Sequence, residues 1–305
     1  MKKIFKIIRN VRKLKVIKYN KKITASLNIT KQDFEIYSEL NKFNKKYHTD
    51  IANAGTKRLN LSKSNLENGG LDELIRMKFE ELNELDLSYN EISNINMLQK
   101  SDVSKLTVLN LGFNNISDIN IFKKVNFAKL TVLNLCHNEI TNINILKFVN
   151  FDELKELDLS FNNIPNINAL EKITFKKLEV LNLSGNGISN INILKKINFN
   201  VLKELNLSFN NISNIKIFEK VNFKELNVLD LQFNKISNIN ILGQINFGEL
   251  IKLDLSYNKI SNINILANVN FRGLSSLNLS GNKINKARNA SLLTILKSKI
   301  KNFNI

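Results

Sequence analysis

Residues 106–129 read LTVLNLGFNNISDINIFKKVNFAK, and closely related 24-residue units fill most of this 305-residue chain. The unit is most easily followed by one asparagine, which recurs at Asn90, Asn114, Asn138, Asn162, Asn186, Asn210, Asn234, Asn258 and Asn282. Self-similarity at one fixed period is typical of a solenoid, in which each repeat is a structural unit that stacks on the next. The sequence therefore predicts one elongated domain.

Each unit begins with a short strand pattern and continues with apolar residues that one repeat cannot bury alone. Leu109-Asn110-Leu111 alternates with the period of two that a strand requires. Burying the apolar side chains of a unit gains roughly 2 kcal/mol each, whereas ordering its backbone costs about 1 to 2 kcal/mol per residue. A lone repeat should therefore not fold, and stacking must complete the burial.

The recurring asparagine is predicted to be a structural brace at the turn after the strand. Its side-chain amide can donate to one backbone carbonyl and accept from another backbone N–H. Repeated at each step, such bonds satisfy turn groups that would otherwise be buried without partners. The first unit departs from the pattern, because KRLNLSKSNL at 57–66 carries Ser64 in place of asparagine and the next interval is 26 residues.

This pattern resembles the leucine-rich repeat family, whose strand segment LxxLxLxxNxL is matched in nine consecutive units over about residues 59–286. The NxIxxIxxL continuation is similar to the subclass found in intracellular phosphatase regulators. The resemblance implies an α/β solenoid: a curved leucine-rich-repeat stack with a parallel β-sheet on the concave face and short helices or turns on the convex face. NILKKIN at 192–198 fits such a convex helix, with Lys195 and Lys196 as its solvated outer face.

The net charge of +18 is carried by the two ends of the chain. Residues 1–58 hold 16 basic and 4 acidic side chains, residues 59–254 hold 21 and 23, and residues 255–305 hold 8 and none. The corresponding net charges are +12, −2 and +8. We divide the chain into a basic N-terminal segment with a helical cap (1–57), about ten repeats (58–286) and a C-terminal capping helix (287–305).

The N-terminal segment has three possible roles. Its first 30 residues carry ten basic side chains and no acidic one, with apolar residues at helical spacing, as in a peripheral membrane or nucleic-acid binder. A cap over the first repeat is an alternative, with Thr30 and Asp33 as a helix start leading into Phe34, Leu40 and Phe43. A targeting segment is the third, although basic residues interrupt any apolar core, so no secretion signal is expected.

Strand residues that do not point into the core form columns on the concave face. The candidate partner-binding residues come from an acidic strip and an aromatic column beside it: Asp86, Asp158, Asp230, Asp254, Tyr89, Phe113, His137, Phe161, Phe209, Phe233 and Tyr257. Aromatic residues dominate binding hot spots, and the acidic strip favours a protein partner with a basic surface. Function is thus predicted to be that of a non-enzymatic interaction scaffold.

Catalytic and metal-binding functions are not expected. Cys136 and His137 are adjacent, but they occupy columns filled elsewhere by serine and by aromatic residues, and no third group that would orient a catalytic pair is visible. Two histidines in total give no zinc spacing, and no phosphate-binding loop or dinucleotide fingerprint occurs, so no cofactor is predicted. A single cysteine excludes an intramolecular disulfide and favours an intracellular, reducing setting, and a cytoplasmic location is expected.

Overall fold

The computed structural model describes residues 30–197, 200–221, 224–245, 249–269 and 273–305. Within these residues eleven short strands form one parallel sheet whose order follows the chain. The strands are β1 (Arg58–Asn60), β2 (Glu84–Asp86), β3 (Val108–Asn110), β4 (Val132–Asn134), β5 (Glu156–Asp158), β6 (Val180–Asn182), β7 (Glu204–Asn206), β8 (Val228–Asp230), β9 (Lys252–Asp254), β10 (Ser276–Asn278) and β11 (Asn302–Asn304). The predicted curved α/β solenoid is confirmed.

Opposite the sheet, most repeats carry one short 3₁₀ helix. The described residues contain these at Asn96–Lys100, Asn120–Lys124, Asn144–Phe148, Asn168–Lys172, Asn192–Lys196, Lys216–Lys220, Asn240–Gly243 and Asn264–Ala267. A side-chain oxygen two residues upstream fixes where each begins; for example, Asn142 Oδ1 accepts the N–H of Asn144 at 2.8 Å. Because each helix starts at the same place in its repeat, neighbouring helices pack side by side along the convex face.

The core lies between the sheet and the convex helices. In the unit at 106–129, Leu109, Leu111, Ile116, Ile119 and Phe122 are all at most 2% exposed. The strand leucines lie in register from repeat to repeat, with Leu109 paired to its equivalents on both neighbouring strands. Every repeat thus covers the apolar side of the one before it, as the energetics of a lone unit require.

The recurring asparagines bind more groups than the sequence predicts, and they bridge adjacent repeats. Asn114 Nδ2 donates to the carbonyls of Leu111 and Gly112 in its own turn, and to that of Leu87 in the previous repeat. Its Oδ1 accepts the N–H of Ile92, also in the previous repeat, at 3.0 Å. Seven of the nine asparagines are buried, so the bonds replace water for groups that solvent cannot reach.

The exception at Ser64 follows from this geometry. A ladder asparagine binds groups of the repeat that precedes it, and β1 is the first strand of the sheet. The first bridge is therefore made by Asn90, which reaches back to the Leu61 carbonyl and the Leu66 N–H. A serine suffices in the first repeat because the described residues contain no repeat turn before β1 for it to bind.

Both terminal repeats are 26 residues long and replace the 3₁₀ helix by an α-helix. Strand register places Leu59 opposite Leu85 and Leu277 opposite Phe303, and the intervening helices are α2 (Asn68–Arg76) and α3 (Ala290–Lys299). An α-helix rises less per residue than a 3₁₀ helix, so it takes up the two extra residues.

The C-terminal segment differs from the prediction of a capping helix alone. The helix is present as α3, but the chain then returns to the sheet and adds β11 beside β10. The signal was available in the sequence, since Ile300, Phe303 and Ile305 repeat the spacing of the three leucines that open each unit. This strand was not predicted because phenylalanine and isoleucine occupy the positions that are leucine in the other units.

The predicted helix start at Thr30 is confirmed. α1 (Lys31–Tyr47) begins with a capping box, in which the Thr30 hydroxyl accepts the N–H of Asp33 and the Asp33 carboxylate accepts the N–H of Thr30. Leu40 and Phe43 join the core of the repeats. The residues before Thr30, and with them the alternatives of membrane, nucleic-acid or targeting contact, lie outside the described residues.

We expect Asn210→Ala to lower the free energy of unfolding by about 2 to 4 kcal/mol, because it leaves buried groups without partners. Asn210 Oδ1 accepts the N–H groups of Asn186 and Ile188, and Nδ2 donates to three carbonyls. Asn214→Ala is the matched control, because exposed Asn214 accepts a single N–H, from Lys216. Equal shifts of the two denaturation midpoints would contradict the role of the ladder.

Candidate functional site: the concave face and its aromatic row

Seven predicted site residues form a continuous feature along one edge of the sheet, here called the aromatic row: Tyr89, Phe113, His137, Phe161, Phe209, Phe233 and Tyr257. Each stands immediately before a ladder asparagine and has a positive φ, between 49° and 55°. Its N–H donates to a carbonyl of the next repeat, as from Phe161 to Ser184 at 2.8 Å. The ladder asparagine binds the previous repeat and this N–H binds the next one. Contacts with both neighbouring repeats therefore fix the left-handed backbone.

The rings stack on one another from repeat to repeat. Centroids of consecutive rings are 4.1 to 4.4 Å apart from Tyr89 to Phe161, and 4.4 and 4.2 Å apart from Phe209 to Tyr257. Gly185 interrupts the row, and the rings of Phe161 and Phe209 across it are 6.0 Å apart and tilted by 46°. The row thus consists of a block of four rings and a block of three.

These aromatic residues occupy backbone positions that are strained for any residue with a Cβ. A left-handed backbone costs a residue with a Cβ about 1 to 2 kcal/mol, and a stacked aromatic pair gains about 0.5 to 1.5 kcal/mol. This gain adds to that from burying part of each ring, so the rings can offset the strain, whereas glycine avoids it, as at Gly185 and Gly281. Yet Tyr89, Phe161, Phe209, Phe233 and Tyr257 remain 39 to 52% exposed.

Sequence reasoning missed Lys63, which lies next to the first ring of the aromatic row. Lys63 has the same left-handed backbone, with φ 58°, and its Nζ lies 4.9 Å from the centre of the Tyr89 ring. This distance is typical of a cation–π contact. Lys63 holds the same position before Ser64 that Tyr89 holds before Asn90, so the column could have been extended by aligning the irregular first unit.

The predicted acidic strip is partly a structural element of the turn. In Asp86, Asp158, Asp230 and Asp254, Oδ1 accepts the N–H two residues further along at 2.8 to 3.0 Å. Asparagines in the same column, such as Asn110 and Asn134, make the same bond. Asp254 is only 8% exposed, so little of its side chain is accessible to a partner.

Basic residues neutralise some of the carboxylates on and beside the acidic strip. Glu84 pairs with Arg58 at 3.0 Å. Glu179 pairs with Lys203 at 2.7 Å and lies 3.8 Å from Lys155, in a column that the sequence reading did not consider. Exposed pairs of this kind contribute little to stability. They neutralise Glu84 and Glu179, whereas exposed Glu156 and Glu204 form no ion pair among the described residues, so only part of the strip remains acidic.

The adjacent Cys136 and His137 do not form a catalytic pair. Burial raises the pKa of the Cys136 thiol to about 11, so the reactive thiolate is scarce at neutral pH. The His137 ring is stacked between Phe113 and Phe161, as an aromatic member of the row. In the part of the chain that the structure describes, no group of histidine, cysteine and carboxylate residues could hold a metal ion.

None of the helices among the described residues is both long enough and apolar enough to cross a bilayer.

Asp230 on the concave face should make the free energy of unfolding depend on pH. Burial raises the pKa of its carboxyl above the usual range, and Asp254, in register on the next strand, adds to the effect. Because the folded state disfavours the ionised carboxylate, Asp230→Asn should stabilise the protein at neutral pH. The gain should disappear as pH falls below the unfolded-state pKa of about 3.9.

The matched control is Asp158→Asn, because Asp158 lies in register between two asparagines, Asn134 and Asn182. Urea denaturation from pH 3 to pH 7 should show the larger gain for Asp230→Asn. The same gain in both variants at every pH would contradict a carboxyl pKa raised by the site of Asp230.

Comparisons with known proteins bear on the fold. Family models described as "Leucine rich repeat" match residues 128–188, 104–119 and 200–215. An internalin, InlF of Listeria monocytogenes, is 20% identical with a TM-score of 0.51, covering 88% of this chain and 93% of its own. Comparison with curated proteins found no match.

Two plant receptors are also similar. The Arabidopsis receptor kinase HAESA, in complex with the peptide hormone IDA and the co-receptor SERK1, is 21% identical with a TM-score of 0.58, covering 83% of this chain and 50% of that one. The Arabidopsis thaliana ectodomain of GASSHO1/SCHENGEN3, in complex with CASPARIAN STRIP INTEGRITY FACTOR 2, is 25% identical with a TM-score of 0.54, covering 69% and 25%. This chain spans half or less of these receptor chains. The family matches and the eleven-stranded parallel solenoid together support a leucine-rich repeat protein.

Proposed function

We propose that the protein is a non-enzymatic scaffold that binds a protein or peptide partner along the aromatic row and the concave strip beside it. The observation that carries the proposal is the exposure of stacked aromatic rings at backbone positions where glycine would be less strained. Strained residues of this kind cluster at binding sites, and aromatic side chains dominate the energetics of protein interfaces.

The orientation of the rings favours a protein partner over a flat ligand. Within each block the ring faces contact one another, so the edges point to solvent. Ring edges carry partial positive charge and suit the carbonyl oxygens and apolar side chains of a polypeptide. A nucleobase needs a free ring face for stacking, which the interior of each block does not offer.

The general behaviour of the fold supports the same class of function. Leucine-rich repeats are commonly binding modules, and the two plant receptor structures similar to this chain are complexes with partners, which in one of them include the peptide hormone IDA. The resemblance to phosphatase regulators makes a protein phosphatase one partner to test. The single cysteine, Cys136, is compatible with the intracellular setting that we propose for the interaction.

The decisive variant replaces Phe161, Phe209 and Phe233 by glycine. Glycine already occupies this position at Gly185 and Gly281, so the left-handed backbone is kept while the rings are removed. Partners captured from cell extract by the native protein would be identified by mass spectrometry, and their affinities then measured with purified components. We expect at least about tenfold weaker binding, the loss typical of a hot spot, with an unchanged circular dichroism spectrum.

The control is Phe148→Lys, which removes an exposed ring from the convex face. Lysine is a compatible replacement, since Lys124 and Lys172 occupy the equivalent position one repeat away on either side. Unchanged affinity of the triple glycine variant, or an equal loss in Phe148→Lys, would overturn the aromatic row as the binding site.

A further inference from the structure

The convex face carries a concentration of positive charge that the concave binding site does not use. The six 3₁₀ helices between Asn96 and Lys220 hold two glutamates and nine lysines, here called the convex basic strip: Lys100, Lys123, Lys124, Lys147, Lys172, Lys195, Lys196, Lys216 and Lys220. All nine lysines are exposed. The last two 3₁₀ helices, Asn240–Gly243 and Asn264–Ala267, contain no charged residue.

Little of this charge is neutralised within the protein. Among the described residues, the ion pair in the strip is that of Lys196 with Glu171, at 2.9 Å. Elsewhere in the same repeats, lysines do find acidic partners across neighbouring units, as Lys176 does with Asp152 and Lys177 with Glu153. The strip therefore presents positive charge to its surroundings over six successive repeats.

One apolar side chain stands in the middle of this strip. Phe148 occupies the position that is lysine in both neighbouring repeats, Lys124 and Lys172. At 68% exposure it is the most exposed large hydrophobic residue in the described structure, and it contributes nothing to the core. Lys147 Nζ lies 5.0 Å from the centre of its ring. An unburied phenylalanine surrounded by lysines matches the composition of surfaces that attach to anionic membranes.

We propose that the convex basic strip docks on an anionic phospholipid surface, with Phe148 entering the boundary between headgroups and acyl chains. A broad convex face suits a membrane better than a nucleic-acid strand, which is usually held in a groove. The strip contains lysine and no arginine, and arginine is the residue that makes bidentate contacts to individual phosphates. Lysine, as a compact charge on a flexible stem, suits a surface of many headgroups.

Tryptophan fluorescence can test the orientation, because the chain contains no tryptophan. The full chain would carry Phe148→Trp, or Phe161→Trp as a control in the aromatic row on another face. Each would be mixed with vesicles of phosphatidylcholine alone or with added phosphatidylserine. We expect a blue shift of emission for Phe148→Trp with phosphatidylserine vesicles, reversed by salt, and no shift for Phe161→Trp.

A second pair of variants tests the charges. Replacing Lys123, Lys124 and Lys147 by glutamine should weaken vesicle binding by roughly fivefold per lysine, or roughly a hundredfold together. The control makes the same change in charge at Lys235, Lys259 and Lys283, three exposed lysines outside the strip, and should leave most binding intact.

Several outcomes would overturn the proposal. If the Phe148→Trp variant co-sediments with vesicles but its emission does not shift, the contact lies elsewhere, for example in the basic residues 1–29. Equal emission shifts in the two tryptophan variants would also exclude the proposal. So would equal losses of vesicle affinity in the two lysine variants, or no binding to phosphatidylserine vesicles. A shift produced by a single-stranded oligonucleotide but not by vesicles would assign the strip to nucleic acid.

Discussion

The bond network of the ladder asparagine is the interaction on which the rest of the structure depends. Each amide joins two consecutive repeats, because Asn114 binds the Leu87 carbonyl and the Ile92 N–H of the unit before it as well as its own turn. None of these buried groups has access to water, so a repeat is fully satisfied only when its neighbour is in place. The ladder therefore adds a polar reason for stacking to the apolar one.

The same turn determines what the concave edge can display. Closing the chain around the asparagine places the preceding residue in the left-handed region, and this holds for Lys63, for the aromatic row and for two glycines. Their side chains consequently leave the sheet in one direction and at one spacing, which allows rings to stack over several repeats. A structural requirement of the fold thus creates a regular array whose chemistry can vary without disturbing the core.

The two faces of the solenoid differ because they are subject to different constraints. On the concave face, the four aspartates each accept a backbone N–H and some glutamates, such as Glu84, pair with basic neighbours, so formal charge alone does not show which carboxylates are free to bind. On the convex face, lysines extend from short helices whose backbone is satisfied locally, and their charge remains free to act on a partner. From the sequence alone, the acidic concave strip is predicted to bind a partner and the convex lysines to be an ordinary solvated surface.

The 24-residue repeat was sufficient to predict the solenoid, its parallel sheet and the bracing role of the asparagine. These depend on a pattern within one unit and on contacts between like units, so the 24-residue period carries nearly all the information. It also placed the aromatic column correctly beside the strands. It missed β11, because phenylalanine and isoleucine replaced the leucines that mark a strand.

The surroundings of individual side chains, by contrast, are set by the folded stack. The gap in the row at Gly185, the burial of Asp254, the raised pKa of Asp230 and the exposure of Phe148 all depend on what the adjacent repeats place within a few ångströms. Distance and desolvation between neighbours are properties of the assembled stack, and a one-dimensional pattern does not contain them.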